Sequence, residues 1–385
     1  MNVGIITYHR SQNYGAQLQA YALRRVVEKL GHRAAVLDGN TIGESGLFHW
    51  SCASGRALLG SLRNNILSLC FNRTRHRRFR EFSQRLLGRT APCMSRPALQ
   101  RECAAYDAII TGSDQVWHPQ ICEGDTSFFL DIPIASHRKI AYAPSFGVSE
   151  YTPEQVARYM PLIADIAHLS VREESGQQLI RKHLQREAPL VLDPTMLLER
   201  ADWESVAQDS PYRHYLLYFS ILDSLPGSDA YVRRVAREKG LRIVRIGSVR
   251  DVLKRGFINA RHVGPQGFLG LVRDADYVIT SSFHGCVFSI LFEKQFLCLL
   301  NRNDRNSRLE TLTAQLGLSG RLVRHVDTPH ASEQLPITYE PVRQRLAQKR
   351  RESLQFLTTA LCEADSAHPG SSSAAPGDLI QSPGE

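Results

Sequence analysis

Hydrophobic and polar positions follow two rhythms along this chain. Residues 2–7 (NVGIIT) form a short β-branched run, which predicts a buried strand. After a polar loop at 8–13, residues 16–30 place Leu18, Ala22, Val26 and Leu30 on one face at helical spacing. Gly31 then supplies a C-terminal stop, and residues 34–38 (AAVLD) begin a second strand. Strand, helix and strand in this order make a βαβ unit, which predicts a parallel sheet covered by helices.

The same order returns at 231–239, Gly240 and 241–246. Between the two units, strands are predicted at 107–111, 139–143, 168–171 and 190–192, with helices at 153–166 and 174–183. After residue 215 come the run LLYFSI, the Gly240 unit, a strand at 277–280, a helix from about Gly285 and a strand at 296–300. Two α/β halves meeting near 195–215 account for this pattern better than one continuous sheet. The expected organisation is an N-terminal domain at 1–205, a C-terminal domain at 206–335 and a helix within 336–365 that can pack on either half. The tail at 366–385, rich in Ser, Pro, Gly and Ala, is predicted to be disordered.

A length of 385 residues allows two separate cores, and 43% hydrophobic with 22% charged residues excludes chain-wide disorder or a collagen-like repeat. The net charge of +9 first suggests nucleic acid or membrane, but the excess is local. Residues 56–101 hold eleven arginines and one acid, Glu81, whereas the remaining residues carry 36 basic and 37 acidic side chains. The segment admits three readings: an interfacial helix on anionic lipid, a nucleic-acid patch, or a solvated helix or excursion from the N-terminal domain whose phenylalanines pack on the core. The last is favoured and nucleic acid least. No run approaches the roughly 18 consecutive apolar residues of a membrane helix, and no cationic leader opens the chain. The eight cysteines form no C-x-x-C pair and no zinc-like cluster, so reduced thiols in a cytoplasmic protein are expected.

Ligands of open α/β sheets bind beyond the carboxyl ends of the strands, and five such ends carry suggestive residues. After the first strand, Asn13 offers an amide, Tyr14 follows, and Gly15 lets the backbone approach a ligand; a helix cap and tight turn is the plainer alternative. The segment is not a G-x-G-x-x-G, so dinucleotide binding gains no support. After 107–111 come Ser113, Asp114 and Gln115. Asp114 can orient or deprotonate a hydroxyl and Trp117 can stack on a sugar, against an Asx-turn with a buried tryptophan. After 168–171, Arg172 suits a carboxylate or phosphate, with Glu173 as its possible partner in a merely structural pair.

After 277–280, Ser281 and Ser282 precede His284 and Gly285 at the start of an apolar helix. Free N–H groups and hydroxyls there make an anion site, with His284 placed for proton transfer. After 296–300, Arg305 or Arg308 can reach an anion in the cleft, against a solvated loop. Two weaker signals are read as structural. Asp274-Ala275-Asp276 resembles a metal-binding D-x-D but joins a helix end to a strand. Asp193, in Asp193-Pro194-Thr195, is expected to satisfy backbone donors in a turn.

Together these segments resemble the polysaccharide pyruvyl transferase family. They are GIITYHRSQNYGAQLQAYALRRVVEKLGH, YDAIITGSDQVWHP, IAYAPSFG, LSVREESG, VLDPTMLL with Trp203, and DYVITSSFHGCVFSILFEKQF, in order through about residues 3–310. The resemblance implies an α/β fold of two Rossmann-like domains similar to GT-B glycosyltransferases, with the active site between them. It implies transfer of pyruvate from phosphoenolpyruvate to a hydroxyl pair of a cell-surface glycan or its lipid-linked precursor, giving a ketal and phosphate. No cofactor beyond that donor and no metal are implied. The family's histidine falls on His284 and its arginine on Arg172, while a further basic residue falls on Arg305 or Arg308. Asp114 is the candidate for the second proton-transfer role, and Ser281 and Ser282 assist at the anion. Two other classes stay open: a nucleotide-sugar glycosyltransferase of the same architecture and a non-catalytic glycan-binding or assembly protein. The first lacks support because no acidic pair at seven-residue spacing follows His284.

Overall fold

A computed structural model describes residues 1–39, 72–122, 124–220, 225–248, 251, 254–300 and 306–366. The expectations for Arg305, for 56–71 of the basic segment and for the tail beyond Ser366 lie outside them. The first unit forms as its pattern predicts: β1 (Asn2–Ile6), α1 (Tyr14–Lys29) and β2 (Arg33–Val36), with β1 and β2 parallel. The Asn13 side chain accepts from the Gly15 and Ala16 N–H groups, which starts α1 two residues earlier than its apolar stripe suggests. The N-terminal sheet adds β3 (Ala108–Gly112), β4 (Lys139–Tyr142) and β5 (His168–Leu169) in the parallel order β2-β1-β3-β4-β5. Its helices are α2 (72–86), α3 (Arg96–Ala104), α4 (Pro153–Ala164), α5 (Glu174–Leu184) and the short α6 (Arg200–Glu204).

The C-terminal half runs β6 (Tyr215–Phe219), α7 (Ser228–Glu238), β7 (Arg242–Ile246), β8 (Ile258–Asn259), α8 (Pro265–Arg273), β9 (Tyr277–Thr280), α9 (Phe283–Leu291), β10 (Gln295–Leu299), α10 (Ser307–Leu316) and β11 (Leu322–Val323). Its sheet, ordered β11-β10-β9-β6-β7-β8, is parallel throughout. The fold is therefore α/β with two Rossmann-like halves. One predicted strand does not form. Residues 190–192 make only a bridge from Leu190 to Val171, because Pro189 and Pro194 leave a run too short and too poor in donors for a ladder.

One apolar core runs through both halves, and each half has a further core of its own. In α1 every residue from Tyr14 to Leu23 is buried, because α8 and α9 cover the face that an amphipathic pattern would leave to water. Tyr14 stacks on Phe268 at 4.7 Å, and Trp203 meets Phe288 edge-on at 4.9 Å. Helix α11 (Glu340–Ser366) packs on both halves. Arg343 pairs with Glu293 at 2.6 Å near its start, while Ser353 Oγ accepts from the Leu192 N–H at 2.9 Å further along.

The described part of the basic segment braces this junction. In α2, Phe79 and Phe82 are buried beside Tyr14 and Tyr21. Arg75 donates to the Tyr14 hydroxyl and to the Arg261 carbonyl, and Arg78 donates to the His262 carbonyl. The phenylalanines thus face the core and are not offered to a lipid surface; Arg73, Arg77, Arg80 and Arg85 point outward. Among the described residues no helix is long and apolar enough to cross a membrane.

Candidate active site

Strand order reverses between β1 and β3 in one sheet and between β6 and β9 in the other, and ligands of such sheets bind at these reversals. The loops following these strands face each other across the junction. Ser282 caps α9 by accepting from the Gly285 N–H at 3.3 Å, which sets His284 in the first turn. The imidazole crosses to the other half and lies against Gly15, where a Cβ atom would stand only 1.9 Å from Nδ1. Only glycine leaves room for that ring. The open backbone expected at Gly15 for a ligand is filled by His284.

Opposite His284 is Asp193, fully buried after residues 190–192. Its Oδ1 accepts from the Thr195 N–H at 3.0 Å and the Thr195 hydroxyl at 2.6 Å, as its turn predicts. Its Oδ2 does something the sequence reading missed. It meets the Ser113 hydroxyl at 3.0 Å, the Arg172 guanidinium at 2.5 Å and His284 Nε2 at 3.6 Å. The last separation is an ion-pair distance, too long for a direct hydrogen bond. Burial alone would raise the Asp193 pKa, but His284, Arg172 and Thr195 outweigh it and hold the carboxyl well below the usual range.

Arg172 is buried with its guanidinium 4.5 Å from the Phe283 ring centroid, a cation–π contact that ties it to α9. Its Nε and Nη2, and His284 Nε2, make no hydrogen bond among the described residues. Buried donors are rarely left so, and these three converge from both halves. Asp114 Oδ1 lies 3.8 Å from Arg172 and also accepts from the Gln115 N–H at 2.9 Å. Arg308 reaches the same place, its guanidinium 5.8 Å from the Phe283 centroid. The structure thus brings His284, Arg172, Asp114, Ser113 and Arg308 together around Asp193 and Phe283.

Other predicted residues serve to hold this cluster or the fold. Asn13 caps α1 and Tyr14 is buried, donating to the Val263 carbonyl at 3.0 Å. Ser282 and Gly285 satisfy each other at the helix start, so neither is the free anion-binding group expected, and a Cβ at Gly285 would strike Thr280 Oγ1 at 2.2 Å. Ser281 Oγ lies 3.3 Å from Ser220 Oγ at the end of β6. Gln115 is half-buried, its amide against Gly147. Trp117 is buried, donating to the Phe128 carbonyl at 3.0 Å, and is not a wall for a sugar. Glu173 does not pair with Arg172. It turns to accept from Ser145 Oγ at 2.9 Å and the Phe146 N–H at 2.8 Å, because Asp193 already occupies the guanidinium.

The family described as Polysaccharide pyruvyl transferase matches residues 13–303 of this chain. Comparison with curated proteins gives no match. Among solved structures, the Methanocaldococcus jannaschii UDP-GlcNAc 2-epimerase is similar at 13% identity, covering 94% of this chain and 99% of its own, with a TM-score of 0.48. The E. coli ADP-heptose lps heptosyltransferase II is similar at 13% identity over 91% of this chain and 99% of its own, with a TM-score of 0.38.

Proposed function

The chain belongs to the polysaccharide pyruvyl transferase family, and on that premise we propose that it transfers the pyruvyl group of phosphoenolpyruvate to a hydroxyl pair of a glycan or lipid-linked glycan precursor. The observation that carries this reading is the convergence of His284, Arg172 and Asp193 from both halves, with donors of the first two left open. Arg172, assisted by Arg308, supplies positive charge for the donor's carboxylate or phosphate. An acceptor oxygen attacks the substituted alkene carbon while the terminal methylene takes a proton and becomes a methyl group. A second hydroxyl then displaces phosphate and closes the ketal. Of the two hydroxyl protons, one balances the new methyl group and the other leaves on phosphate. His284 is assigned the proton transfer to carbon, and the Asp193 carboxylate stands 3.6 Å from its Nε2. Asp114, only partly covered, is assigned the hydroxyl proton.

The test is phosphate release from phosphoenolpyruvate with candidate glycan acceptors. His284→Ala is expected to lower turnover by about 10²- to 10⁴-fold, the range of a lost acid–base group. Arg172→Ala is expected to act mainly on the donor's KM. Turnover unchanged in both variants overturns the assignment.

A further inference from the structure

A second site lies beside this one and is built differently. Gln12, Asn13, Tyr14, Arg75, Phe219, Ser220, Ile246, Gly247, Ser248 and Arg261 enclose a cavity of about 270 Å³ at the junction of the halves. It opens at the carboxyl ends of β6 and β7, the edge at which sheets of this order bind ligands. Among the described residues two arginines line it and no carboxylate does. Arg75 is buried, held over the Tyr14 ring at 4.5 Å and the Phe79 ring at 4.7 Å, and donates to the Gln12 carbonyl at 2.8 Å. Arg261 donates to Asn72 Oδ1 at 3.0 Å and to the Gly247 carbonyl at 2.6 Å.

All of these partners are neutral. Among the described residues no carboxylate oxygen comes within 4.0 Å of either guanidinium, although fifteen other described arginines have one, among them Arg10, Arg89 and Arg172. Asp251, whose charge reaches Arg261 only at longer range, pairs with Arg245 and Lys254 at 3.0 Å each and accepts from the Ser248 N–H and hydroxyl at 2.7 and 2.8 Å. A buried and a half-buried guanidinium this close together, with no carboxylate in ion-pair contact, are costly to hold. Burial and the Arg75 charge together push the Arg261 pKa down to about 10, and burial with the charges of Arg75, Arg80 and Arg261 lowers the pKa of His76, which lies against Gln12. A counter-charge in direct contact is what a bound anion supplies. The volume falls just below the roughly 300 Å³ of small-molecule pockets, which suits a compact polyanionic group rather than a whole sugar nucleotide.

We propose that this cavity takes a phosphate or diphosphate group carried by the glycan acceptor, next to the donor held at Arg172 and His284. Ser220 and Ser281, whose hydroxyls are 3.3 Å apart, join the cavity wall to the loop that carries His284. The acceptor class is then a glycosyl phosphate or diphosphate, from a lipid-linked or a nucleotide-linked source. This inference rests on the functional reading above, and its test separates the two. Binding of inorganic pyrophosphate, of UDP and of phosphoenolpyruvate is measured by calorimetry on the full chain and on Arg172→Gln, Arg261→Gln and Ser248→Asp. Pyrophosphate affinity is expected to fall at least tenfold in Arg261→Gln and Ser248→Asp and to persist in Arg172→Gln. Phosphoenolpyruvate is expected to show the reverse pattern. Ser248→Asp places a carboxylate from an exposed position, so it tests the cavity even where loss of Arg261 disturbs folding. UDP binding with the affinity of pyrophosphate assigns the contact to the diphosphate alone, and tighter UDP binding assigns a nucleotide-linked source; both uphold the site. Pyrophosphate binding indifferent to both cavity variants overturns the proposal. So does phosphoenolpyruvate affinity lost equally in Arg261→Gln and Arg172→Gln, which makes the cavity part of the donor site. Phosphoenolpyruvate binding indifferent to Arg172→Gln, with the pyrophosphate pattern intact, overturns the donor assignment and leaves the cavity.

Discussion

Two clusters in this molecule have the same composition and opposite character. Near the carboxyl edge of the N-terminal sheet, Asp38 accepts from His9 Nε2 at 2.8 Å, Arg10 Nε at 2.6 Å and Arg89 Nη1 at 3.0 Å. His9 Nδ1 is 2.8 Å from the Thr7 carbonyl, so both ring nitrogens face acceptors. Every contributor comes from the same half and both carboxylate oxygens are used. Asp193 is likewise buried against a histidine and an arginine, but its histidine comes from the other half and stands at 3.6 Å. There the open groups are His284 Nε2 and two nitrogens of Arg172. At Asp38, Arg89 Nε alone is left without a hydrogen-bond partner among these described side chains and the cluster locks one domain, whereas three spare donors at a domain junction are prepared for a ligand. Residue type alone does not separate the two; the count of engaged atoms does.

The largest expected effect comes from Asp193→Asn. It keeps the side-chain shape and the Thr195 contacts but removes the negative charge between Arg172 and His284. Leaving a buried guanidinium unpaired costs about 3–5 kcal/mol of stability. Turnover of the folded fraction is expected to fall by about 10²- to 10⁴-fold, as for loss of the proton-transfer group itself. Urea unfolding and phosphate release measure the two consequences separately. An Asp193→Asn enzyme with normal turnover removes the distinction between the clusters.

Asp38→Asn sharpens the comparison from the other side. A stability loss of about 3–5 kcal/mol is again expected, now with the turnover of folded protein unchanged. The pH dependence follows from the sign of the shift. Burial would raise the Asp38 pKa, but His9, Arg10 and Arg89 outweigh it and hold the carboxyl below its ordinary range. A depressed carboxyl contributes stability that is fully present above the unfolded pKa of about 3.9 and is lost as pH falls through the folded value. Wild-type stability should therefore decline below about pH 4 with a steeper slope than that of Asp38→Asn. Equal slopes in urea titrations across that window contradict the ion-pair account of this cluster.

Much of this arrangement is legible in the sequence because it depends on local patterns. The alternation of β-branched runs, apolar helical stripes and glycine stops predicts the two sheets, and the strand-end rule points to the loops holding Asn13, Ser113, Arg172 and His284. What escapes is long-range pairing. Asp193 reads as a turn residue because one of its oxygens does cap a turn; the other meets Ser113, Arg172 and His284, which lie 80, 21 and 91 residues away. Its place after a short run beside the strand carrying Arg172 is the one local signal of a shared edge. Glu173 is the converse case: adjacency to Arg172 suggests a pair, but successive residues of an extended segment point to opposite faces. In the basic segment the phenylalanines pack on the core as the favoured reading expects, but net charge is counted without burial, so Arg75 of this interdomain brace looks like a surface group.

Gly15→Ala is expected to have the smallest effect, yet it isolates the feature on which the comparison turns, namely contact between halves. The new methyl group would lie 1.9 Å from Nδ1 and 2.4 Å from Cε1 of His284. The backbone of α1 is fixed by the Asn13 cap and by packing on all sides, so the ring must move. A displacement of about 1 Å in a reacting group lowers turnover on the order of 10²-fold. Stability changes less, because alanine favours a helix over glycine by roughly 0.5–1 kcal/mol and so opposes the cost of crowding. The Asp38 cluster draws nothing from the C-terminal half, so its acid unfolding limb should be the same in this variant as in wild type. Loss of turnover with that limb preserved ties function to the imidazole that crosses from one half to the other. Unchanged turnover means the ring accommodates the methyl group without leaving its working position, and the placement of His284 against Gly15 then has no bearing on the chemistry.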